Sequence, residues 1–295
     1  MIRKLLRTLH WAANHPVSRG AKGQGMYRFV RAQIGARMTP GDVCVAFPNN
    51  TSLLVPPWMK GAAHFIWPSL VEFEEMSFVM HFLKAEDLFV DVGANIGAYT
   101  VLAGAVAGAR TISFEPGSLA YGFLVKNIRL NNLPDRATAR NLALGSRQET
   151  VSFTEGLGTE NYVVRGGGDA GLVRVEQSTL DAQTNGLEPA AMKIDVEGFE
   201  KDVLAGAENL LKKPSLQAMI MERGGNARRY GYDESSLHEY VRSLSFIPCA
   251  YAPLTRTLRR IPDTAEGNII YVRDMAGAGE RLRRAPAWHF AGLTV

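Results

Sequence analysis

The sequence predicts an α/β fold in which a mainly parallel sheet is covered by helices on both faces. Strand-like and helix-like segments alternate between about residues 71 and 273, as in sheets whose parallel strands are joined by helical crossovers. Early in this region the apolar residues 88–90 lead into Asp91-Val-Gly-Ala-Asn-Ile-Gly97, after which a helix-like pattern begins. A buried strand that breaks at glycines and continues as a helix forms a nucleotide-type pocket in open α/β sheets.

Hydrophobic periodicity and turn residues predict the elements of this region in chain order. The first half is predicted to contain a helix over 71–83, a strand over 87–92, a helix over 97–107, a strand over 110–115, a helix over 117–132 and a strand over 137–143. An insertion follows, with strand-like runs at 151–153 and 172–176 and a glycine-rich centre at 166–168. The second half is predicted to contain a strand over 190–196, a helix over 199–212, a strand over 216–221, a helix over 234–244 and strands near 247–252 and 267–272.

Two further regions flank residues 71–273. Residues 1–70 are predicted to form an N-terminal helix and then a cap of short strands and turns over the pocket. Residues 1–12 place apolar side chains on one helical face and basic ones elsewhere, a pattern typical of a helix lying on an anionic membrane surface or packing on its own domain or a partner subunit. Residues 274–295 are predicted to be a surface tail.

Composition indicates a globular protein, which we expect to be cytoplasmic, and peripheral contact of residues 1–12 with the inner face of the membrane is one of the alternatives for that helix. The chain has 295 residues, 46% of them hydrophobic and 21% charged, and no apolar run reaches the roughly 18 residues of a membrane span. Cys44 and Cys249 have no metal-like spacing and are interpreted as two small buried hydrophobic residues. The formal charge of +4 permits an anionic substrate or membrane surface without requiring nucleic acid.

The glycine-containing stretch narrows the choice of ligand. A dinucleotide fingerprint needs glycine at its second position so that the backbone can approach a pyrophosphate, but Asn95 occupies that position when counting starts at Gly93. Asp91 instead presents a carboxylate at the mouth of the strand, which suits a ligand with an ammonium group. S-adenosylmethionine is such a ligand, since its amino group can meet Asp91 while its carboxylate uses backbone N–H groups near the helix start.

A second acid supports this interpretation. Thr111-Ile-Ser-Phe-Glu115 is a short strand-like run that ends in a carboxylate, and an acid at the tip of the second strand is placed to accept both hydroxyls of a ribose. Glu115 alone would also fit a nicotinamide enzyme. Only together with Asp91 and Asn95 does it favour the methyl donor.

Three motifs together resemble the FkbM family of S-adenosylmethionine-dependent methyltransferases. They are residues 91–97 followed by Tyr99-Thr100, Phe114-Glu115-Pro116, and Met192-Lys-Ile-Asp-Val-Glu-Gly-Phe-Glu200, of which the third is the most specific. The resemblance runs from about residue 73 to residue 273. It implies a class I, Rossmann-like methyltransferase sheet of seven strands, mostly parallel with an antiparallel last strand, and methylation of a hydroxyl in a sugar of a glycan or glycolipid, or in a secondary metabolite.

The donor-binding residues predicted from these motifs are Asp91, Gly93, Asn95, Gly97, Tyr99, Thr100, Glu115 and Asn141. Asn141 is included because it ends the third strand, where the adenine ring lies in this fold, and Ala143 is a candidate for lining the same ring. The ligands of an open α/β sheet bind at the carboxyl ends of its strands, so all of these residues are expected at one edge.

The predicted catalytic residues are Lys193, Asp195 and Glu222. Lys193 and Asp195 lie two apart on an apolar strand and therefore face the same side, where unpaired buried charges are costly. Glu222 closes the next strand. Two mechanisms fit: Asp195 or Glu222 accepts the hydroxyl proton, or Asp195 and Glu222, with Glu197, hold Mg²⁺ or another divalent ion that acidifies the hydroxyl.

Weaker candidates surround these residues. They are His64, His81 and His238 as alternative bases, Glu72 and Glu74 near the donor, Gly158-Thr-Glu-Asn161 near the acceptor, and Glu197 and Glu200 as acids that favour a helix start.

Three rival functions come from other classes. A nicotinamide-dependent oxidoreductase is disfavoured by Asn95, and a nucleic-acid methyltransferase by the lack of an Asn/Asp-Pro-Pro-aromatic motif for a flipped base. A non-catalytic donor-binding scaffold would keep Asp91 and Glu115 but would not need Lys193, Asp195 and Glu222. The acceptor's identity and the oligomeric state stay open at this stage.

Overall fold

The fold is described from a computed structural model that covers residues 41–56, 59, 70–165, 171–224, 226–290 and 293–295. Three sequence predictions lie outside the described residues: the helix and membrane contact of residues 1–12, the role of His64, and the glycine-rich centre of the insertion at residues 166–168. None of the described helices is both long and apolar enough to span a bilayer.

The described residues form short strands and helices whose bounds are as follows. The strands are β1 (Val43–Phe47), β2 (Thr51–Val55), β3 (Leu88–Val92), β4 (Arg110–Phe114), β5 (Ala137–Arg140), β6 (Ala143–Leu144), β7 (Glu149–Thr154), β8 (Val163–Val164), β9 (Leu172–Ser178), β10 (Ala191–Ile194), β11 (Ala218–Arg223), β12 (Ile247–Ala252), β13 (Thr257–Arg260), β14 (Gly267–Val272), β15 (His289–Phe290) and β16 (Leu293–Thr294). The helices are α1 (Phe73–Phe82), α2 (Ala98–Val101), α3 (Ser118–Leu130), α4 (Leu180–Gln183), α5 (Glu200–Ala205), α6 (Glu208–Lys212), α7 (Glu234–Ser243) and α8 (Met275–Arg283). Single turns occupy Leu102–Val106, Gly158–Glu160 and Asn226–Tyr230.

The main sheet has eight strands in the order β13-β12-β14-β11-β10-β3-β4-β5. The five strands from β11 to β5 are parallel, and β14 runs antiparallel to β11. The mainly parallel sheet with an antiparallel last strand is confirmed, and β13 adds an eighth strand at the edge beside β12. The strand order reverses between β3 and β10, so the carboxyl ends of these two strands form the crevice where such sheets bind ligands.

Alternate residues of the central strands supply two hydrophobic cores. Phe89 of β3 packs with α1, α2 and α8 on one face of the sheet, whereas Val90 and Val92 pack with α5, α6 and α7 on the other. All five residues of β3 are buried. This strand is therefore covered on both sides, which agrees with its continuous apolar run.

Two predicted elements are divided in the structure. The helix predicted over 199–212 is divided at Gly206–Ala207 into α5 and α6. Gly206 lies so close to Gly145 that a Cβ at Gly206 would be 2.0 Å from the Gly145 carbonyl oxygen. The strand predicted over 137–143 ends at Arg140. Ala143–Leu144 pairs instead with β9, in a separate sheet of order β6-β9-β7-β8 that contains the predicted insertion.

Two asparagines of α3 hold the β1–β2 hairpin against the main domain. The amide side chain of Asn127 accepts from Leu54 N (2.7 Å) and donates to Leu54 O (3.1 Å) and Ile96 O (2.8 Å). One turn later, Asn131 accepts from Ser52 N (2.9 Å) and donates to Ser52 O (2.8 Å). The two side chains thus satisfy the outer backbone groups of β2 as a neighbouring strand would.

The structure corrects the prediction that residues 274–295 form a surface tail. Residues 275–283 form α8, whose Leu282 is fully buried in the core that contains α1. Val295 is 4% exposed and exchanges backbone hydrogen bonds with Trp288. The apolar residues of this segment are spaced for one side of a helix, so they pack on the domain.

The two cysteines differ in burial. Cys249 is buried in β12, as predicted, and its thiol donates to Ile270 O at 3.3 Å. Cys44 is exposed on β1, so the prediction of a buried position was wrong for it. It lies on the outward-facing side of a two-stranded hairpin, where alternate residues face solvent.

Candidate active site

A cavity of about 350 Å³ lies at the carboxyl ends of β3, β4, β10 and β11. Its lining combines the turn after β3, the end of β4, the loop after β10, the start of α1 and part of the β7–β8 connection. The predicted residues that line it are Asp91, Gly93, Asn95, Tyr99, Glu115, Lys193, Asp195 and Glu222. The fold therefore brings most of the sequence-predicted residues into one cavity.

The turn between β3 and α2 is tight, and Gly93 explains why. Gly93 has φ +77°, and a Cβ there would lie 1.9 Å from the carbonyl oxygen of Asp195. Only glycine permits this close approach of the β3 and β10 ends. Asn95 follows with φ +50°, a conformation that asparagine tolerates better than most residues.

Asp91 is the most buried acid of the cavity, at 1% exposed. Its Oδ2 accepts a hydrogen bond from Thr100 Oγ1 at 2.7 Å, and Thr100 Oγ1 also lies 2.7 Å from Ser113 Oγ. Burial raises the pKa of Asp91 to about 6, against the opposing effects of the Lys193 ammonium and the Thr100 hydroxyl. Thr100 thus stands behind Asp91 and orients its carboxylate toward the cavity.

Glu115 is held by backbone groups on both of its oxygens. Oε2 accepts from Asn95 N at 2.9 Å and Oε1 from Gly117 N at 2.8 Å, and burial raises the pKa of Glu115 to about 7. Each carboxylate oxygen keeps a second lone pair for a ligand. Beside it, Asn95 Oδ1 is buried and has no hydrogen-bond partner among the described residues, although Asn95 lines the cavity. These acceptors suit a ligand that presents hydroxyl and ammonium donors.

Lys193 lies on β10, directly beside Asp91 of β3. Its Nζ lies 2.5 Å from Asp195 Oδ2 and 4.8 Å from the centroid of the Tyr99 ring, and the Tyr99 hydroxyl donates to Glu72 Oε2 at 2.5 Å. Burial alone would lower the pKa of Lys193, but the carboxylates of Asp195, Glu72 and Asp91 outweigh burial and raise it. Lys193 is therefore a permanent cation that balances several acids.

Glu222 lines the cavity and has no ion pair or hydrogen bond to its carboxylate among the described residues. Burial raises its pKa to about 7, with further increases from the carboxylates of Asp195 and Glu197. Glu197 also lines the cavity and has a pKa of about 7, raised by burial and by Asp195. Unlike Glu222, Glu197 is engaged, since its Oε2 accepts from Asn226 Nδ2 at 2.9 Å.

Glu200 does not line the cavity. It is 3% exposed, and its Oε1 accepts from the backbone N–H groups of Val196 and Gly198 at 3.2 Å each. These bonds close the turn that carries Glu197 and begins α5. Glu200 is thus a structural acid, as the helix-start interpretation predicted.

The insertion contributes a wall that we call the pocket arm, residues 157–165. Gly158, Thr159, Asn161 and Val163 of the pocket arm line the cavity. Asn161 closes the turn at its tip, because its Oδ1 accepts from Leu157 N at 3.1 Å and its Nδ2 donates to Gly158 O at 3.0 Å.

Three predicted donor residues lie outside the lining. Gly97 has φ +90° and lies close to Leu124, and Thr100 supports Asp91. Asn141 donates to the carbonyl oxygens of Glu115 (2.8 Å) and Pro116 (3.0 Å), so it fixes the loop after β4. Direct contact of these three residues with a ligand stays a prediction.

The weaker histidine and glutamate candidates from the sequence differ in whether they line the cavity. His81 and His238 are buried outside the cavity, each with its Nδ1 hydrogen-bonded to a tyrosine hydroxyl, of Tyr251 and Tyr271 respectively. Glu72 lines the cavity, whereas Glu74 is exposed and does not.

Sequence reasoning missed several apolar lining residues. Met59, Val71, Met76, Phe153 and Phe199 all contact the cavity. Phe199 lies inside the third motif, which is the one signal that pointed to it. The others come from segments joined to the site only by the tertiary fold.

The strand order and the acid-lined crevice between β3 and β10 define a methyltransferase of the Rossmann-like class. The family model described as the methyltransferase FkbM domain matches residues 91–248, more than half of the chain. The chain belongs to the FkbM methyltransferase family. Among curated proteins, none matches the sequence.

Solved structures with similar folds are distant in sequence. A methyltransferase FkbM from Methylobacillus flagellatus KT is 16% identical over 85% of this chain and 60% of its own, with a TM-score of 0.44. An rRNA methylase from Streptococcus thermophilus is 13% identical over 67% of this chain and 91% of its own, with a TM-score of 0.40. The tRNA (uracil-54, C5)-methyltransferase of Pyrococcus abyssi, in complex with S-adenosyl-L-homocysteine, is 10% identical over 79% of this chain and 44% of its own, with a TM-score of 0.44. This chain thus spans 60% of the length of the Methylobacillus protein.

Proposed function

We propose that this methyltransferase uses S-adenosylmethionine to methylate a hydroxyl oxygen of a sugar, in a glycan or glycolipid, or of a secondary metabolite. The observation that carries the proposal is the meeting of two groups of residues in one cavity. The first group, Asp91, Asn95 and Glu115, comes from the ends of β3 and β4 and the turn after β3, and the second, Lys193, Asp195 and Glu222, from the ends of β10 and β11 and the loop after β10. We call the first group the donor half and the second group the acceptor half.

The donor half suits S-adenosylmethionine by the chemistry of its side chains. Asp91 is a buried carboxylate for an ammonium group, Asn95 Oδ1 is a buried acceptor that no described residue engages, and Glu115 retains lone pairs for ribose hydroxyls. When bound, S-adenosylmethionine supplies an electrophilic methyl group on a sulfonium. The protein's task is then to orient an oxygen nucleophile in line with that group and to accept its proton.

Glu222 is the proton acceptor in this proposal. Its pKa of about 7 is matched to work near neutral pH, and its carboxylate is not engaged by another side chain of the described residues. Asp195 is a weaker candidate, because its Oδ2 is already paired with Lys193. Glu222 takes the hydroxyl proton as the oxygen–methyl bond forms and the sulfur–methyl bond breaks.

Lys193 and Asp195 have a positioning role in the same step. The ion pair fixes Asp195 Oδ1 toward the acceptor half, where it can accept a hydrogen bond from a second hydroxyl of the acceptor. Two acceptor hydroxyls held by Glu222 and Asp195 would fix the orientation of a sugar diol.

A divalent ion held by Asp195 and Glu222 is the alternative mechanism. Within the described ranges, no three His, Cys, Asp or Glu side chains converge as a ligand set. The Lys193 ammonium also occupies Asp195 Oδ2 and would repel a second cation. The chemistry of these side chains therefore favours a general base over a bound metal ion.

The charge of the cavity favours a neutral acceptor. Among the described residues, its lining contains one ammonium group and six carboxyl groups, those of Glu72, Asp91, Glu115, Asp195, Glu197 and Glu222. A phosphate-bearing acceptor such as nucleic acid would be repelled by these acids as it entered, whereas a neutral polyol would find hydrogen-bond acceptors. This argument supports a sugar or another hydroxylated metabolite.

The test is methyl transfer from labelled S-adenosylmethionine to a panel of free sugars, glycosides, glycolipids and hydroxylated metabolites, with a tRNA pool as comparator. The proposal expects a methyl ether in a neutral polyol, located by mass-spectrometric fragmentation and unchanged by a chelator. Methylation of nitrogen, carbon or RNA would contradict it. Loss of turnover with a chelator and rescue by Mg²⁺ would replace the base mechanism with the metal one.

A further inference from the structure

The pocket arm forms one wall of the cavity, which the proposed function assigns to the acceptor, and no strand of it joins the main sheet. Its only strand, β8, has two residues and pairs solely with β7, through Phe153↔Val163 and Ser152↔Val164. The sheet that contains β7 is separate from the main sheet. Besides this pairing, the hydrogen bond from Thr154 N to Tyr162 O and the packing of Val163 against Phe153, the pocket arm is held by side-chain contacts with the turn Asn226–Tyr230 and the residues around it.

Arg165, at the end of the pocket arm, makes the most extensive of these contacts. Its guanidinium lies 5.3 Å from the ring centroid of Phe199, 5.7 Å from that of Tyr230 and 5.3 Å from that of Tyr232. It also forms an ion pair with Asp202 of α5, whose side chain is 7% exposed. Asp202 is fixed in turn by the Tyr232 hydroxyl, which donates to its Oδ2 at 2.6 Å. We call this arrangement the Arg165 cage.

Two further contacts join the pocket arm to the same turn. The Tyr230 hydroxyl donates to Val163 O at 2.6 Å, and the Arg229 guanidinium stacks 3.8 Å from the centroid of the Tyr162 ring. Tyr230 is also one of the three rings around Arg165, and Arg229 precedes it in the chain. The Arg165 cage is thus the centre of a small interface that seats the pocket arm.

The same interface reaches the reacting groups. Phe199 packs in the Arg165 cage and also lines the cavity. Arg229 donates to the carbonyl oxygen of Glu197 at 2.9 Å, and Asn226 donates to the Glu197 carboxylate. A displacement of the pocket arm would therefore change both the wall of the acceptor half and the residues beside Asp195.

We infer that Arg165 is a positioning residue that seats the pocket arm on the acceptor half, and so governs the affinity for the acceptor but not for the donor. The assignment of the two halves rests on the proposed function. The seating itself rests on the contacts of Arg165. A planar guanidinium can stack on rings and pair with a carboxylate at once, which a lysine ammonium reproduces only in part.

Hydrogen–deuterium exchange of the full chain tests the seating without knowledge of the acceptor. Arg165→Ala is expected to raise the exchange rate of amides 157–164 at least tenfold, and Arg165→Lys to give an intermediate rate. Arg174→Ala is the matched control, because Arg174 is an exposed arginine of the neighbouring strand β9 whose one hydrogen bond, to Thr150 O, is 3.4 Å long. Wild-type exchange of the pocket arm in Arg165→Ala would overturn the inference.

Titration with S-adenosylhomocysteine tests the division between the halves. The affinity of Arg165→Ala for this probe is expected to stay within twofold of wild type, with unchanged exchange in residues 91–97. A loss of more than fivefold, in a variant that remains folded by its thermal midpoint, would place the pocket arm in the donor half and contradict the inference.

Kinetics on an acceptor found by the screen above give the final readout. Arg165→Ala should raise the acceptor KM at least fivefold while kcat and the KM for S-adenosylmethionine stay within twofold, and Arg165→Lys should restore part of the loss. A fall in kcat as large as the expected rise in KM, with the acceptor KM itself unchanged, would contradict a positioning role. If no hydroxyl acceptor is methylated, the proposed function fails, but exchange and titration still decide whether Arg165 seats the pocket arm.

Discussion

Glu222 has the surroundings that a general base needs. It lines the cavity, its pKa is raised to about 7 by burial and by neighbouring carboxylates, and no described side chain engages it. Glu197 has a similar pKa, also raised by burial, but its carboxylate is hydrogen-bonded to Asn226. The two glutamates therefore form a natural pair of test and control.

Glu222→Gln should lower kcat by roughly 10²–10⁴-fold with little change in the acceptor KM, because the amide cannot accept the proton. In the wild type, kcat should rise as pH increases through about 7, as the Glu222 carboxyl loses its proton. Glu197→Gln should keep this rise. Measurement of kcat between pH 5.5 and 8.5 checks both variants, and a rise that survives in Glu222→Gln would exclude Glu222 as the base.

At the scale of elements, the β1–β2 hairpin is attached by side chains rather than by a sheet. Asn127 and Asn131 pair with both backbone groups of Leu54 and Ser52, and Asn127 also donates to Ile96 O in the turn after β3. The hairpin is thereby connected to the donor half of the cavity. Asn127 is fully buried, so its truncation would leave backbone groups of both segments without partners.

Asn127→Ala should destabilise the protein by about 1–3 kcal/mol for each buried group left unpaired, and should speed amide exchange at Ser52 and Leu54. Asn131→Ala should have a smaller effect, since Asn131 is only partly buried. Arg129→Ala is the control, because Arg129 is exposed on the same helix. Chemical denaturation and amide exchange by NMR provide the measurements. Unchanged protection of both amides in Asn127→Ala would show that the hairpin is held by other contacts.

The elements differ in how far the sequence could predict them. β3 and the turn after it were predictable, because a continuous apolar run followed by glycines has few other structures. The break of the helix predicted over 199–212 was not predictable. Gly206 lies against Gly145, and this contact joins residues that are remote in sequence. The attachment of the hairpin by Asn127 was not predictable either, because a polar residue on a helix is interpreted as solvent-facing until the partner strand is known.

The residues of the candidate site also differ in how far the sequence could predict them. Asp91, Glu115, Lys193, Asp195 and Glu222 were predictable because each ends a strand, and the carboxyl ends of parallel strands share an edge. The Arg165 cage joins residues of the insertion to rings from two other segments. No local pattern marks such a cluster, so only the tertiary fold reveals it.

At the scale of the whole molecule, several buried acids in and around the cavity have raised pKa values. Burial raises the pKa to about 7 for Glu75, Glu115, Glu197, Glu200 and Glu222. A carboxyl with a raised pKa binds more protons in the folded chain than in the unfolded one, so stability falls as pH rises toward that pKa. His81 and His238, whose pKa values are lowered by burial, act in the opposite direction but only below about pH 6.5.

The ligand-free protein should therefore lose stability between about pH 6.5 and 7.5, the interval in which the buried acids still titrate and the histidines no longer do. Glu200→Gln should reduce this loss, because the amide is neutral at every pH. Urea denaturation at pH 6.5, 7.0 and 7.5 measures the effect. Constant or rising stability across this interval would mean that the acids are not destabilised by burial.

The central claim is that Asp91 and its neighbours bind S-adenosylmethionine, and calorimetric titration tests it most directly. Wild-type protein should bind S-adenosylmethionine and S-adenosylhomocysteine but not NAD. Asp91→Ala should bind the two sulfur ligands roughly 10–100-fold more weakly, since a charge-assisted hydrogen bond contributes about 1.5–3 kcal/mol. Binding of NAD by the wild type, without binding of either sulfur ligand, would contradict the account.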